Sequence, residues 1–201
     1  MIARQPRDVI ALGGSAGALN ALLRLLPQVP PQLPATLLIG LHVSSSYRSR
    51  LADVLGPHCR LPVEPARDDG AIVRGRVYVV VPDLHLEVDS GRLKLTRGPK
   101  EHFTRPAIDV LFRSMARAYG PRAAGILLSG GGQDGTLGLG AIKAAGGITI
   151  AQDPKLVSHP AMLVSAIRSG NVDHVLTLDE IARALPRLAA GEPLDDSGPT
   201  P

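Results

Sequence analysis

The sequence predicts an α/β fold: a doubly wound, mostly parallel sheet with helices on both faces and one β-hairpin. Three observations point there. Short apolar runs alternate with amphipathic stretches along nearly the whole chain. Most of these runs are continuous rather than alternating, as in strands buried on both faces. The core must also be aliphatic, because 44% of the 201 residues are hydrophobic while only 2% are aromatic and none is Trp. That length suits one substantial domain, expected over 1–190, and is short for two.

The first run, 9–12, reads as a buried strand, followed by a helix in which Leu19, Leu22, Leu23 and Leu26 recur at helical spacing. A Pro-rich connector over 27–34 leads to a second strand at 36–41. Ser44, Ser45 and Ser46 can then cap a helix over 47–55. Between 72 and 98 apolar and polar residues alternate, and the pieces 84–88 and 92–96, joined through Asp89, Ser90 and Gly91, read as a hairpin with one solvated face. A loop over 97–106 precedes a helix at 108–119, which Gly120 and Pro121 end. A strand at 123–128, a glycine-rich turn, a helix to about 145, a strand at 148–151, a helix over 160–169 and a strand at 172–176 follow. Thr177 and Glu180 form a capping box for a last helix through 188. Residues 191–201, rich in Pro, Asp and Gly and lacking periodicity, are expected to be a disordered tail.

Composition narrows the function. No apolar run is long enough to cross a bilayer, and the first seven residues lack the hydrophobic core of a signal peptide, so no membrane insertion and a cytoplasmic location are expected. Cys59 stands alone, which excludes an internal disulfide and a Cys-x-x-Cys site; it reads as a passive thiol on a helix-to-strand loop. No H-E-x-x-H or comparable cluster supports a metal, and His58, His102, His159 and His174 read as surface or loop residues. The net charge is +4, with 18 of the 22 basic residues arginine. These arginines are scattered and aromatics are few, so nucleic acid is not the expected partner; an acidic protein surface fits the charge.

The chemistry begins at Gly13-Gly14-Ser15-Ala16-Gly17, a G-x-S-x-G turn between the first strand and helix. Small neighbours let the chain turn sharply and leave the Ser15 hydroxyl exposed, as in a nucleophile elbow, and free amides at the helix start can face an oxyanion. On this stretch alone a phosphate-binding turn is the favoured reading. Its spacing, however, matches neither G-x-G-x-x-G nor a P-loop. Two further polar groups stand at strand ends, His42 after the second strand and Asp134 in the later glycine turn. Serine needs a base to take its proton, and imidazole serves best when a buried carboxylate fixes its tautomer. Ser15, His42 and Asp134 are therefore the candidate triad.

At this point the sequence resembles the catalytic domain of the chemotaxis protein-glutamate methylesterases of the CheB type, which implies a Rossmann-like sheet. The resemblance is carried by Val9–Gly17, Leu41-His42-Val43, Tyr78–His85, Arg105–Phe112 and Leu127–Gly135, in family order, and extends over roughly 8–188. The family's serine, histidine and aspartate fall on Ser15, His42 and Asp134. Members remove methyl esters from glutamates of chemoreceptors, and many also deamidate glutamines; the mechanism expected of Ser15, His42 and Asp134 is acyl transfer through an acyl-enzyme on Ser15, without a cofactor. The resemblance thus implies a methylated chemoreceptor or related signalling protein as partner.

Some departures from the family pattern stand out. Ala16 and Ala18 replace a hydroxyl residue and a glycine, and Gln133 stands where Asn often precedes the aspartate. Backbone donors survive such changes, so the oxyanion hole is expected to use the Gly131 N–H with help from Ala16 and Gly17. Arg105 and Arg48 are candidates for meeting an acidic receptor surface, and His85 for lining the cleft. The residues before the first strand are too few for the family's receiver domain, so the enzyme is expected to be constitutively open, controlled by a separate receiver protein, or part of a nonstandard chemosensory or signalling pathway. The competing expectations are a non-catalytic protein-binding domain of a chemosensory pathway and a serine esterase with another substrate.

Overall fold

A computed structural model describes residues 5–42 and 50–194. Its elements run β1 (Val9–Gly14), α1 (Ala18–Leu25), β2 (Thr36–Leu41), α2 (Leu51–Leu55), β3 (Val63–Pro65), β4 (Val77–Val79), β5 (His85–Asp89), β6 (Arg92–Thr96), α3 (Ile108–Tyr119), β7 (Ala123–Leu127), α4 (Thr136–Ala144), β8 (Ile148–Gln152), α5 (Ala161–Arg168), β9 (His174–Leu176) and α6 (Leu178–Ala190). Seven strands form one sheet in the order β3-β4-β2-β1-β7-β8-β9. Every pairing within it is parallel, and β5 and β6 form a separate antiparallel hairpin. The doubly wound α/β architecture is the expected one.

The continuity of the apolar runs explains the central strands. All six residues of β1 and all six of β2 are buried, as are the five of β7, because helices cover both faces. In the core Leu, Ile, Val and Ala do the packing, with Phe112 the largest fully buried side chain. From β1 the sheet extends through β2, β4 and β3 on one side and through β7, β8 and β9 on the other. The order therefore reverses between β1 and β7, and the crevice beyond their carboxyl ends is where open α/β sheets bind ligands.

Several boundaries differ from expectation for identifiable reasons. In α1 the buried face is Ala18, Ala21, Leu22 and Leu25, with Leu26 buried directly after it; Leu22 and Leu26 of the predicted leucine stripe are thus buried, while Leu19 is exposed and alanines take its share of the buried face. The piece containing Val77–Val79 belongs to the main sheet and is wholly buried, unlike the half-solvated hairpin beyond it. The short β3, flanked by Leu61 and Ala66 in the core, carries too few apolar residues to be visible in sequence. The described helix α2 starts after Arg50; the expected cap at Ser44–46 and the candidate Arg48 lie outside the described residues. The capping box forms as predicted: Thr177 Oγ accepts the Glu180 N–H, and the Thr177 N–H donates to the Glu180 carboxylate. Gly191 caps α6 in the left-handed conformation and Leu194 packs on the core, while residues 195–201 lie outside the described residues.

Opposite the crevice, Asp8 precedes β1 and is buried between the guanidiniums of Arg74 and Arg122. Burial alone would raise its pKa, but the hydrogen bonds and charges of the two arginines hold it below the usual carboxylate value. Cys59 is half-buried, and burial pushes its thiol up, as befits a passive side chain.

Candidate active site

The crevice at the reversal point is built by three strand ends. β1 ends in Gly13 and Gly14, and Ser15 follows on the turn into α1. The Ser15 N–H donates to the Ser129 carbonyl at 3.0 Å, and Ser129 Oγ donates to the Ala16 carbonyl at 2.8 Å, so the elbow is fastened to the end of β7. Gly17 holds φ +84° there, in the left-handed region, and a Cβ would lie 2.8 Å from Ser129 Oγ; both facts call for glycine.

His42 immediately follows β2 and extends its ladder, donating its N–H to the Gly14 carbonyl at 3.2 Å. This places the imidazole beside the elbow. Nδ1 lies 3.2 Å from Ser15 Oγ and Nε2 lies 2.7 Å from Asp134 Oδ2. With Nε2 donating to the carboxylate, Nδ1 carries a lone pair toward the serine hydroxyl, as a general base requires. The ring nitrogens are used in the opposite sense to the serine-protease triad, where Nδ1 faces the aspartate. Thr104 Oγ is 3.4 Å from the same Nε2.

Asp134 is 1% exposed. Its carboxylate accepts the N–H groups of Ile108 at 2.7 Å and Asp109 at 2.8 Å, the first two amides of α3. Burial would raise its pKa, but the His42 hydrogen bond and these two amides outweigh that and hold it below the usual carboxylate value. An anion at a helix N-terminus is also favoured by the helix dipole. The carboxylate is thus fixed in place and in charge before any substrate arrives.

A second carboxylate, not singled out in the sequence, stands behind it. Asp109 is fully buried; its Oδ1 accepts the Gly138 N–H in the first turn of α4 at 2.7 Å, and its Oδ2 lies 2.9 Å from His102 Nε2. Burial pushes the Asp109 carboxyl above the usual value, and the charge of Asp134 adds to this. The atoms of His102, Asp109 and Asp134 lie close enough to one another to suggest a metal cluster. Every carboxylate oxygen among them, however, already faces an N–H donor or a histidine nitrogen, an arrangement a cation would have to dismantle.

Of the expected oxyanion donors, the N–H groups of Ala16, Gly17 and Gly131 form no hydrogen bond among the described residues, whereas that of Gly130 is engaged by the His159 carbonyl at 2.9 Å. The two candidate substrate contacts are committed elsewhere. The Arg105 guanidinium binds Asp83 at 2.6 Å and the Gly98 carbonyl at 2.7 Å, bracing the loop before α3. His85 is 2% exposed and does not line the cleft; Nε2 reaches the Pro99 carbonyl at 2.8 Å and Nδ1 accepts the Ala107 N–H at 3.2 Å. It ties the hairpin to the same loop. His102 lies in a loop, as expected, but its pairing with Asp109 is not an expectation of the sequence; only the turn of the intervening chain creates it.

Comparison with known proteins places the chain in a family. The profile of the CheB methylesterase family matches residues 10–185. A protein named protein-glutamate methylesterase/protein-glutamine glutaminase 2 from Anaeromyxobacter dehalogenans is 39% identical over 181 residues, covering 90% of this chain and 53% of that protein. A putative protein-glutamate methylesterase/protein-glutamine glutaminase from Leptospira interrogans is 34% identical, covering 90% of this chain and 94% of the relative. The chain thus spans about half the length of the first relative and nearly all of the second. The crystal structure of the Thermotoga maritima CheB methylesterase catalytic domain superposes with a TM-score of 0.85 at 29% identity, over 90% of this chain and 98% of that domain. The chain therefore belongs to the CheB methylesterase family.

Proposed function

We propose that this protein hydrolyses glutamate γ-methyl esters on a signalling protein through an acyl-enzyme on Ser15. The observation that carries the reading is the chain of hydrogen-bonded groups from Ser15 Oγ through both ring nitrogens of His42 to Asp134, set at the crevice of the sheet. His42 Nδ1 takes the proton from Ser15 as Oγ attacks the ester carbonyl, and the open amides of Ala16, Gly17 and Gly131 receive the oxyanion. The tetrahedral intermediate collapses, His42 returns the proton to the departing oxygen, and methanol leaves. Water deprotonated by His42 then attacks the acyl-enzyme, releasing the glutamate carboxylate and restoring Ser15. Asp134 remains ionised and stabilises the imidazolium in both halves.

The same cycle accepts a glutamine amide, with ammonia leaving instead of methanol, in keeping with the double names of the relatives. The partner in this reading is a methylated chemoreceptor or a related protein in the cytoplasm, with residues 1–190 acting as the catalytic unit under a separate receiver protein. Among the described residues no helix is long and apolar enough to cross a membrane, which suits a protein that meets its substrate from solution. The test is methanol release from a methyl-esterified receptor fragment: wild type releases it and Ser15→Ala does not. Equal release by both would reject the esterase reading in favour of a docking domain.

A further inference from the structure

We propose that Phe103 is a substrate anchor: a rigidly mounted apolar contact beside the triad that engages an apolar side chain of the polypeptide flanking the esterified glutamate. The inference rests on the esterase reading above and adds to it the kind of surface the substrate must present.

Phe103 is 96% exposed, more than any other large apolar side chain described, whereas the chain's other phenylalanine, Phe112, is fully buried in the core. A ring left in water contributes nothing to the packing of the chain, so its placement is not explained by stability. The backbone sharpens the point. Glu101 and Thr104 exchange two hydrogen bonds, of 3.1 and 2.8 Å, closing a two-residue turn in which His102 and Phe103 hold φ +49° and +63°. Such turns favour Asn and Gly, because a Cβ is strained in the left-handed region. Here the strained positions carry a histidine and a phenylalanine.

The turn is clamped to the catalytic groups on both sides of Phe103. His102 Nε2 lies 2.9 Å from Asp109, whose own N–H holds Asp134; Thr104 Oγ lies 3.4 Å from His42 Nε2 and donates to the Glu101 carbonyl. Arg113 fixes the Glu101 carboxylate at 2.6 Å. The backbone that carries Phe103 is therefore held in place relative to His42 and Asp134, and strain concentrated at such a place is the mark of a functional constraint. Phe103 is joined directly to Thr104, whose Oγ lies 3.4 Å from His42 Nε2, so the occupant is the group presented to the triad, the substrate itself. Because a protein ester extends beyond the reacting atoms and a small ester does not, the anchor acts on the former alone.

The probes are two helical peptides bearing one glutamate γ-methyl ester, one flanked a turn away by leucines and the other by serines, together with 4-nitrophenyl acetate. Wild type is expected to prefer the leucine peptide by roughly tenfold or more in kcat/KM, mainly through KM. Phe103→Asn is expected to lose that preference while hydrolysing 4-nitrophenyl acetate at the wild-type rate, with no fall in Tm because Asn suits the turn. Phe103→Leu should keep most of the preference. Equal handling of both peptides by the wild type, an unchanged preference in Phe103→Asn, or a parallel loss on the small ester would overturn the proposal, as would a loss that tracks dissociation of a dimer by light scattering. If no ester is cleaved even by wild type, the esterase reading fails separately; peptide affinity measured by fluorescence anisotropy then decides on the anchor, with equal binding by wild type and Phe103→Asn rejecting it.

Discussion

Asp134 and Asp109 cap each other's helices. Asp134, on the turn before α4, accepts the Asp109 N–H at the start of α3, while Asp109 accepts the Gly138 N–H at the start of α4. The triad carboxylate is thereby built into the packing of two helices, and its orientation toward His42 is a property of the fold.

The two carboxyls should respond to pH with opposite signs. Asp134 has a folded pKa below its unfolded value, so its contribution to stability is present above the unfolded pKa and is lost as pH falls through the folded one. Asp109 has a raised folded pKa, so the folded state holds its proton more tightly and stability declines as pH rises through that value. Asp109→Asn keeps an acceptor for Gly138 and removes the ionisation. Its Tm relative to wild type should therefore improve as pH rises from the unfolded aspartate value through the raised folded one, and a difference independent of pH would count against the raised pKa.

Replacing Asp134 tests structure and catalysis together. Asn offers one acceptor where the carboxylate serves Ile108 N–H, Asp109 N–H and His42 Nε2. Leaving a buried donor unpaired costs about 1–3 kcal/mol, and an amide facing Nε2 favours the wrong histidine tautomer. Asp134→Asn should lower Tm and reduce kcat by about a thousandfold or more. Retention of a tenth of the activity would show that the carboxylate does not orient the base.

Gly130 gives a milder probe of positioning. A Cβ there would lie 2.8 Å from Met162 Sδ and 3.1 Å from Ser15 Cβ. The end of Met162 can move aside, but the elbow is bound to Ser129 and yields less readily. Gly130→Ala should fold with a Tm close to wild type and lose on the order of tenfold in kcat, since small displacements of a nucleophile are costly. Unchanged kinetics would mean that Ser15 is not held by this contact.

At the far end of the sheet, Asp8→Ala leaves the Arg74 and Arg122 guanidiniums without their shared carboxylate. Both arginines are about half-exposed, so the cost is at the low end for a buried pair, on the order of 2 kcal/mol. Denaturant unfolding should show this loss at pH 7. It should shrink as pH falls through the depressed folded pKa of Asp8, because the wild type then loses the same interaction.

The main sheet and the three strand-end groups were legible in sequence because continuous apolar runs and glycine turns are local signals. Ser15, His42 and Asp134 could be assembled from a rule about where such sheets place functional side chains. Asp109 and His102 could not, since one looks like an ordinary first-turn acid and the other like a loop histidine until α3 and α4 pack. A signal was present in the acid at the second position of α3, where a helix N-terminus favours a carboxylate. In sequence Arg105 and His85 read as candidates for substrate contact, but their actual roles depend on the hairpin folding onto the 97–107 loop, a tertiary event without periodicity. Leu19 misled in the same way: helical spacing identifies the stripe, and Leu22 and Leu26 are buried as it predicts, but only packing decides that Leu19 stays exposed while Ala18 and Ala21 are buried.

The central claim is that Ser15 is an activated nucleophile. Incubation with a serine-directed fluorophosphonate, followed by proteolysis and mass spectrometry, addresses it without requiring the natural substrate. The expected result is one adduct on Ser15, formed at least a hundredfold more slowly in His42→Ala. An unmodified Ser15, or labelling equally fast without His42, would contradict the account.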